Sequence, residues 1–268
     1  MKHVKLEIIA NEYQQEELIA LLDDYNPSGF EQTDEKLVAY FSEEGFAKDD
    51  VLKILEGYSF VLGEVEEKNW NEEWERNFKP VVVGDFVAVR ADFHQPVNGV
   101  QHEIVITPKM SFGTGHHATT HMMMQQMRVM DFTDKIVFDF GTGTGILSIL
   151  AEKLGAAKII AIDVDEWSME NANENIERNG CSKITASLSS QIPTQQFDVI
   201  LANINRNVIL DYLPFLVKAL HLGAVILFSG LLIRDEQDIK ATAEQNGLIL
   251  RHRSEKQGWL SLLFVNGQ

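Results

Sequence analysis

The stretch from residue 135 to residue 163, KIVFDFGTGTGILSILAEKLGAAKIIAID, constrains the fold more than any other part of the chain. It opens on a short apolar run with β-branched residues and passes through three glycines into a segment with helical apolar spacing. It closes on a second apolar run that ends in Asp163. This is the order of a strand, a tight turn, a helix and a second strand. Such a βαβ unit is typical of nucleoside-binding domains.

The rest of the second half continues the same alternation of apolar runs and helical patterns. Alternation of this kind predicts a parallel, doubly wound sheet with helices on both faces. The last two strand-like runs, 248–253 and 259–265, are separated by only five residues. Because five residues cannot form a crossover helix, these two strands must pair antiparallel. The sequence therefore predicts an α/β, Rossmann-like sheet that ends in an antiparallel hairpin.

The first part of the chain has a different pattern. Residues 4–65 show the element order β-α-β-β-α-β, which is typical of a small α+β, ferredoxin-like domain. A polar, helix-prone segment with Trp70 and Trp74 follows it. We therefore predict a ferredoxin-like domain at 1–66, a helical linker at 67–80 and a larger domain at 81–268.

The charge of the chain is concentrated at its beginning. The formal net charge is −17, and residues 1–78 carry 7 lysines and arginines against 20 aspartates and glutamates, a net charge of −13. Such an acidic surface repels a nucleic-acid backbone and attracts a basic protein; the alternative is that the acidic residues serve solubility alone. Cys181 is the only cysteine, which fits a reducing compartment, and no apolar run is long enough to span a membrane. These features favour a cytoplasmic protein that acts without direct nucleic-acid or membrane contact, and we expect a monomer.

The glycine spacing narrows the choice of nucleoside. Dinucleotide-binding turns have the pattern G-x-G-x-x-G, whereas Gly141, Gly143 and Gly145 form the more compact G-x-G-x-G. A compact turn leaves little room for a pyrophosphate, and Asp139 beside it suits a cationic amine. Asp163 lies where a carboxylate accepts both ribose hydroxyls. Together these residues indicate S-adenosylmethionine rather than a nicotinamide dinucleotide.

Two segments resemble a known family. Residues 138–145, FDFGTGTG, look like motif I of class I S-adenosylmethionine-dependent methyltransferases. Residues 111–120, SFGTGHHATT, resemble the F-G-T-G-x-H-x-T-T signature of the PrmA family, bacterial methyltransferases of a large-subunit ribosomal protein. The acidic first domain, the Trp-bearing linker, this signature and the last domain occur in the order of that family, so the resemblance covers essentially the whole chain.

The resemblance implies a class I methyltransferase fold and a set of site residues. Thr119 and Thr120 would close over the methionine end of S-adenosylmethionine, and Gly141 and Gly143 would let it pass close to the backbone. Asp163 would hold its ribose. Asn203, at the end of the fourth strand of this domain, would lie beside the reactive methyl group as the catalytic residue.

The resemblance also implies the substrate. Members of the family methylate lysine side chains and the N-terminal α-amine of a ribosomal protein, which the small first domain grips. A basic ribosomal protein suits the acidic first domain of this chain. One segment departs from a common pattern, because many amino-group methyltransferases have N-P-P-Y where this chain has Asn203-Ile204-Asn205-Arg206.

Three other functions remain open on the sequence alone. A class I methyltransferase could act on another protein or on a small amine, a cofactor-binding module could lack transfer activity, and an oxidoreductase could use NAD. We predict no metal site, because the neighbouring histidines of 116–121 lack a supporting cluster of cysteine or acidic residues.

Overall fold

The structure is a computed structural model that describes residues 3–33, 35–43, 46–65, 78–108 and 115–267. The chain divides into two compact units, Met1–Phe78 and Lys79–Gln268. Most of the predicted linker, including Trp70 and Trp74, lies outside the described residues, as does the 111–114 part of the signature segment.

The first unit has the predicted element order. Its four strands form one antiparallel sheet in the order β2-β3-β1-β4, and two helices connect them. The elements are β1 (His3–Ile9), α1 (Glu12–Asp23), β2 (Gly29–Gln32), β3 (Lys36–Ser42), α2 (Lys48–Ile54) and β4 (Ser59–Val65). Asn11 is the N-cap of α1, and its side chain and that of Gln14 each accept a hydrogen bond from the other's backbone N–H at 3.0 Å.

The second unit begins with a small three-stranded sheet. It consists of β5 (Val81–Val83), β6 (Val87–Ala91) and β7 (His102–Ile106), in that spatial order. The pair β5 and β6 is antiparallel, whereas β6 and β7 are parallel. Helix α3 (Ala118–Met127) follows, and its four methionines pack in the core, where they are at most 1% exposed.

A seven-stranded sheet forms the centre of the second unit. Its strands lie in the order β10-β9-β8-β11-β12-β14-β13, and all neighbours up to β12 are parallel. The elements are β8 (Ile136–Phe140), α4 (Ile146–Lys153), β9 (Lys158–Asp163), α5 (Glu166–Arg178), β10 (Ile184–Leu188), β11 (Phe197–Asn203), α6 (Arg206–Lys218), β12 (Leu220–Leu232), α7 (Glu236–Gln245), β13 (Leu248–Lys256) and β14 (Trp259–Asn266).

The predicted antiparallel hairpin is confirmed. Strand β14 runs antiparallel to β13 and also to β12, so it lies between two strands that precede it in the chain. The parallel strands β8, β9, β11 and β12 bring their carboxyl ends to one edge of the sheet, where ligands bind in α/β folds. No helix among the described residues is long and apolar enough to cross a membrane.

Candidate active site

A cavity of about 290 Å³ opens at the carboxyl ends of β8, β9 and β11. Four of the predicted site residues, Gly141, Gly143, Asp163 and Asn203, line it. The remaining lining residues are Phe140, Ile162, Val164, Ser168, Ser189, Ile204, Asn205 and Val208. Most of these side chains are apolar, and a few polar groups converge on them, as is usual in small-molecule sites.

Asp163 braces the glycine turn from the end of β9. Its Oδ2 accepts a hydrogen bond of 2.8 Å from the N–H of Gly143, and its Oδ1 accepts from the N–H groups of Val164 and Asp165. These bonds fix the carboxylate at the cavity wall. Because a carboxylate has about four lone-pair sites, Asp163 can still accept hydrogen bonds from a ligand hydroxyl.

Asn203 joins the end of β11 to the start of α3. Its Nδ2 donates a hydrogen bond of 3.1 Å to the hydroxyl of Thr120, which fixes the orientation of the amide. Its Oδ1 is buried and has no hydrogen-bond partner within the described part of the chain. A buried oxygen without a partner in a cavity wall is a group that a ligand N–H can satisfy.

The two predicted threonines lie next to the site rather than in the lining of the cavity. Thr120 is 1% exposed and reaches the cavity through Asn203. Thr119 is fully buried, and its hydroxyl lies 2.7 Å from Nδ1 of His117, the N-cap residue of α3. The ring of His117 packs edge-on against Trp259, so the start of α3 is held against the terminal hairpin.

The glycine turn makes room for the chain that leaves β11. Gly141 has φ +78°, and a Cβ placed on it would lie 2.4 Å from Cγ2 of Ile204. Gly230, at an irregularity of β12, has φ +83°, and its Cβ would lie 2.2 Å from the carbonyl oxygen of Ile204. Ile204 therefore occupies space that two glycines leave open, and this fixes the neighbouring Asn203.

Asp139 lies beneath the turn, and it is absent from the lining of the cavity. It is 1% exposed, and its Oδ2 accepts hydrogen bonds of 2.7 Å from the hydroxyls of Thr142 and Ser148. Burial raises the pKa of Asp139 to about 6, although these two hydrogen bonds oppose the shift. The predicted contact between Asp139 and a cationic amine stays a prediction.

Comparison with known proteins identifies the family to which the chain belongs. A family model described as ribosomal protein L11 methyltransferase (PrmA) matches residues 6–266. The chain belongs to this family. A PrmA-family relative from Bacteroides fragilis, named ribosomal protein L11 methyltransferase, is 38% identical over 259 residues, which are 92% of each chain. Another of that name, from Bacteroides thetaiotaomicron, is 42% identical over 212 residues, 78% of this chain and 75% of the relative.

A solved structure supports the same assignment. The ribosomal protein L11 methylase from Lactobacillus delbrueckii subsp. bulgaricus has a TM-score of 0.65 and 28% identity, and the match covers 70% of this chain and 98% of that one. The fold is therefore the class I methyltransferase fold of the PrmA family. Membership of a methyltransferase family implies S-adenosylmethionine as the methyl donor. The compact glycine turn, the carboxylate of Asp163 and Oδ1 of Asn203, which has no partner among the described residues, fit such a ligand.

The segment that departs from N-P-P-Y has a structural explanation. Asn205 is the N-cap of α6, and its side chain accepts a hydrogen bond of 3.1 Å from the N–H of Val208. Arg206 is absent from the cavity lining and forms ion pairs with Asp235 and Asp238 around the start of α7. In this PrmA-family chain the capping amide begins the helix where the other pattern has prolines, and the guanidinium is bound to α7.

Several lining residues were not predicted from the sequence. Val164, Ser168 and Ser189 follow the ends of β9 and β10, and Val208 lies in the first turn of α6. Their common signal is position, since each follows closely the carboxyl end of a strand of the parallel sheet. No cluster of three or more metal-ligating side chains occurs among the described residues.

We expect Asp139→Asn to change the pH dependence of stability. The folded chain holds a proton on Asp139 up to a pKa of about 6, against 3.8 for an unperturbed aspartate, so wild-type stability falls as the pH rises through this window. The difference corresponds to about 3 kcal/mol. The variant lacks this titration, so its free energy of unfolding relative to wild type should increase between pH 4 and pH 7. Urea denaturation across that range checks this, and a constant difference would contradict it.

Proposed function

We propose that this chain transfers methyl groups from S-adenosylmethionine to amino groups of ribosomal protein L11, namely lysine side chains and the N-terminal α-amine. The name of the family supports the protein substrate. The amino-group chemistry rests on the resemblance and on the polar group at the cavity wall.

The observation that carries this proposal is the state of Asn203. Its Nδ2 is held by Thr120, which aims Oδ1 in one direction, and that oxygen is buried without a partner in the described chain. An amine that attacks the methyl group must present an N–H while its lone pair faces the carbon. An acceptor with a fixed orientation would hold the N–H so that the lone pair of the amine faces the methyl carbon. Methyl transfer depends on this positioning. Asn203 is therefore the proposed catalytic residue.

The proposed donor site uses the residues around the glycine turn. The backbone of Gly141 and Gly143 would run along the donor, and the remaining lone-pair site of Asp163 would accept a hydrogen bond from a ribose hydroxyl. Thr119 and Thr120 would lie near its methionine end, at the start of α3. S-adenosylmethionine supplies a methyl group on a positively charged sulfur, from which an amine can displace it.

The proton of the attacking amine needs a separate account. A lysine at neutral pH is mostly an ammonium, whereas only the neutral amine has a lone pair for attack. Asp163 is the only titratable side chain among the described lining residues, and its carboxylate is already bound by three backbone N–H groups. We therefore assign no general base among the described lining residues. The apolar lining lowers the cost of deprotonation by disfavouring the charged form of the amine.

The first unit is the proposed substrate-binding unit. Residues 1–78 carry a net charge of −13, whereas the remainder of the chain carries −4. An acidic unit attracts a basic ribosomal protein and steers its approach, in a manner that salt weakens.

The test is an assay with purified chain, S-adenosylmethionine and unmethylated L11, read by intact-mass and peptide mass spectrometry. We expect methyl groups on lysines and on the N-terminal amine, and methylation that is at least about 100-fold slower with an Asn203→Ala variant. Methylation of other ribosomal proteins but not L11, or of free lysine alone, would favour the alternative substrates. Tight binding of the donor without any transfer would favour a regulatory module.

A further inference from the structure

Three asparagines lie on one face of α5, each one helical turn from the next. They are Asn171, Asn175 and Asn179, and the first two are fully buried. Asparagine is a poor helix former, so Asn171 and Asn175 lower the intrinsic stability of α5, whereas Asn179 is its C-cap residue. The side chains of Asn175 and Asn179 bond groups outside the helix, in different parts of the second unit, whereas Oδ1 of Asn171 accepts a hydrogen bond from Asn175.

Outside the helix, Asn179 binds the edge of β7. Its Oδ1 accepts a hydrogen bond of 3.0 Å from the N–H of Val105, and its Nδ2 donates one of 2.7 Å to the carbonyl of the same residue. The amide thus takes the place of a neighbouring strand at the open edge of the three-stranded sheet. Its Nδ2 also donates to the carbonyl of Asn175 within the helix.

Asn175 binds two separate segments. Its Oδ1 accepts a hydrogen bond of 2.8 Å from the N–H of Thr107, just beyond β7. Its Nδ2 donates one of 2.9 Å to the carbonyl of Thr144, inside the glycine turn, and another of 3.0 Å to Oδ1 of Asn171. One buried amide therefore links the glycine turn to the end of β7.

We propose that Asn175 is a positioning residue for methyl-donor binding. It fixes the glycine turn relative to Thr107, just beyond the end of β7. Thr144 lies between the two glycines whose turn Asp163 braces, so a displaced Thr144 carbonyl also displaces the N–H of Gly143 that bonds Asp163. This inference rests on the proposed use of S-adenosylmethionine at that turn.

The matched comparison is between Asn175 and Asn179. Asn175→Asp keeps the shape of the side chain and the acceptor for Thr107, but it turns a carboxylate oxygen toward the carbonyl of Thr144. Asn175→Ala removes both links. Asn179→Ala removes two hydrogen bonds to β7 and none to the glycine turn. Asn173→Ala is the control on the exposed side of the same helix, and it measures the effect of an asparagine-to-alanine substitution that breaks neither link.

The experiment measures the Kd of S-adenosylmethionine by isothermal titration calorimetry, beside thermal unfolding of the ligand-free proteins. A buried hydrogen bond replaced by a repulsive contact corresponds to at least about a tenfold change in an equilibrium constant. We expect both Asn175 variants to raise Kd by about tenfold or more, and Asn179→Ala and Asn173→Ala to leave it within about twofold. Thermal stability should fall for Asn179→Ala as well as for the Asn175 variants.

Two results would overturn the inference. In the first, Asn175→Asp folds and binds the donor as wild type does. In the second, Asn179→Ala weakens donor binding as much as the Asn175 variants do. The rise in Kd would then result from lower stability and not from loss of the hydrogen bond to the glycine turn. If Asn175→Ala does not fold, the shape-preserving Asn175→Asp carries the test. Failure of the wild-type chain itself to bind S-adenosylmethionine would instead refute the proposed function, and this inference with it.

Discussion

Asn203→Ala is expected to lower kcat by at least about 100-fold while it changes the Kd of S-adenosylmethionine much less. The substitution removes the oriented Oδ1 that would hold the attacking amine, and a misplacement of about 1 Å at a reacting centre costs on the order of 10²-fold in rate. The donor would keep its contacts with Asp163 and the glycine turn. Single-turnover rates with L11 and calorimetry with the donor measure the two effects separately.

Two further variants show whether the orientation of Asn203 matters. Thr120→Val keeps the shape of the residue but removes the hydroxyl that accepts from Nδ2 of Asn203, and we expect an intermediate loss of roughly tenfold in kcat. Asn207→Ala changes an exposed asparagine in the first turn of α6 and should leave kcat unchanged. Wild-type turnover in Asn203→Ala would remove this residue from the mechanism.

Gly230→Ala is expected to destabilise the second unit by about 3 kcal/mol or more and to abolish donor binding. The new Cβ would lie 2.2 Å from the carbonyl oxygen and 2.7 Å from the carbonyl carbon of Ile204, so the backbone itself would have to move. Overpacking of this kind costs about 1–3 kcal/mol, and φ +83° adds about 1–2 kcal/mol for a residue with a side chain. Urea denaturation and calorimetry measure the two losses.

The matched control lies in the same strand. Gly223 has φ +78°, and a Cβ placed on it would meet no atom within 4 Å. Gly223→Ala therefore places a side chain at a positive φ without a steric clash. We expect it to lower the free energy of unfolding by about 1–2 kcal/mol and to retain donor binding. Equal effects of the two substitutions would show that the contact with Ile204 is unimportant.

The sequence predicted the parts of the fold that local patterns encode. The alternation of apolar runs from residue 135 onward predicted the parallel sheet, and the five-residue connection between the last two runs predicted the antiparallel hairpin. The β-α-β-β-α-β order of the first unit was also predicted from the sequence pattern of residues 4–65. Four predicted site residues line one cavity, because a parallel sheet brings the carboxyl ends of its strands to one edge.

Long-range side-chain contacts escaped prediction. Asn203 and Thr120 are 83 positions apart in the chain, and no local pattern indicates that they are bonded. The placement of Asp139 beneath the turn depends on the hydroxyl of Ser148 in the following helix. The general rule that ligands bind at the carboxyl ends of parallel strands does not predict this contact. The spacing of Asn171, Asn175 and Asn179 was visible in the sequence, but their partners at β7 and the glycine turn depend on tertiary packing.

The position of β14 has a consequence for synthesis of the chain on the ribosome. Strand β13 is made before β14, yet its only neighbour in the described sheet is β14, which also pairs with β12. Until β14 emerges, β12 has an open edge and β13 has no strand to pair with. His117 packs against Trp259, the first residue of β14, so the start of α3 also lacks a contact until then. Donor-binding competence should therefore appear late in translation, after the strands around the glycine turn have been made.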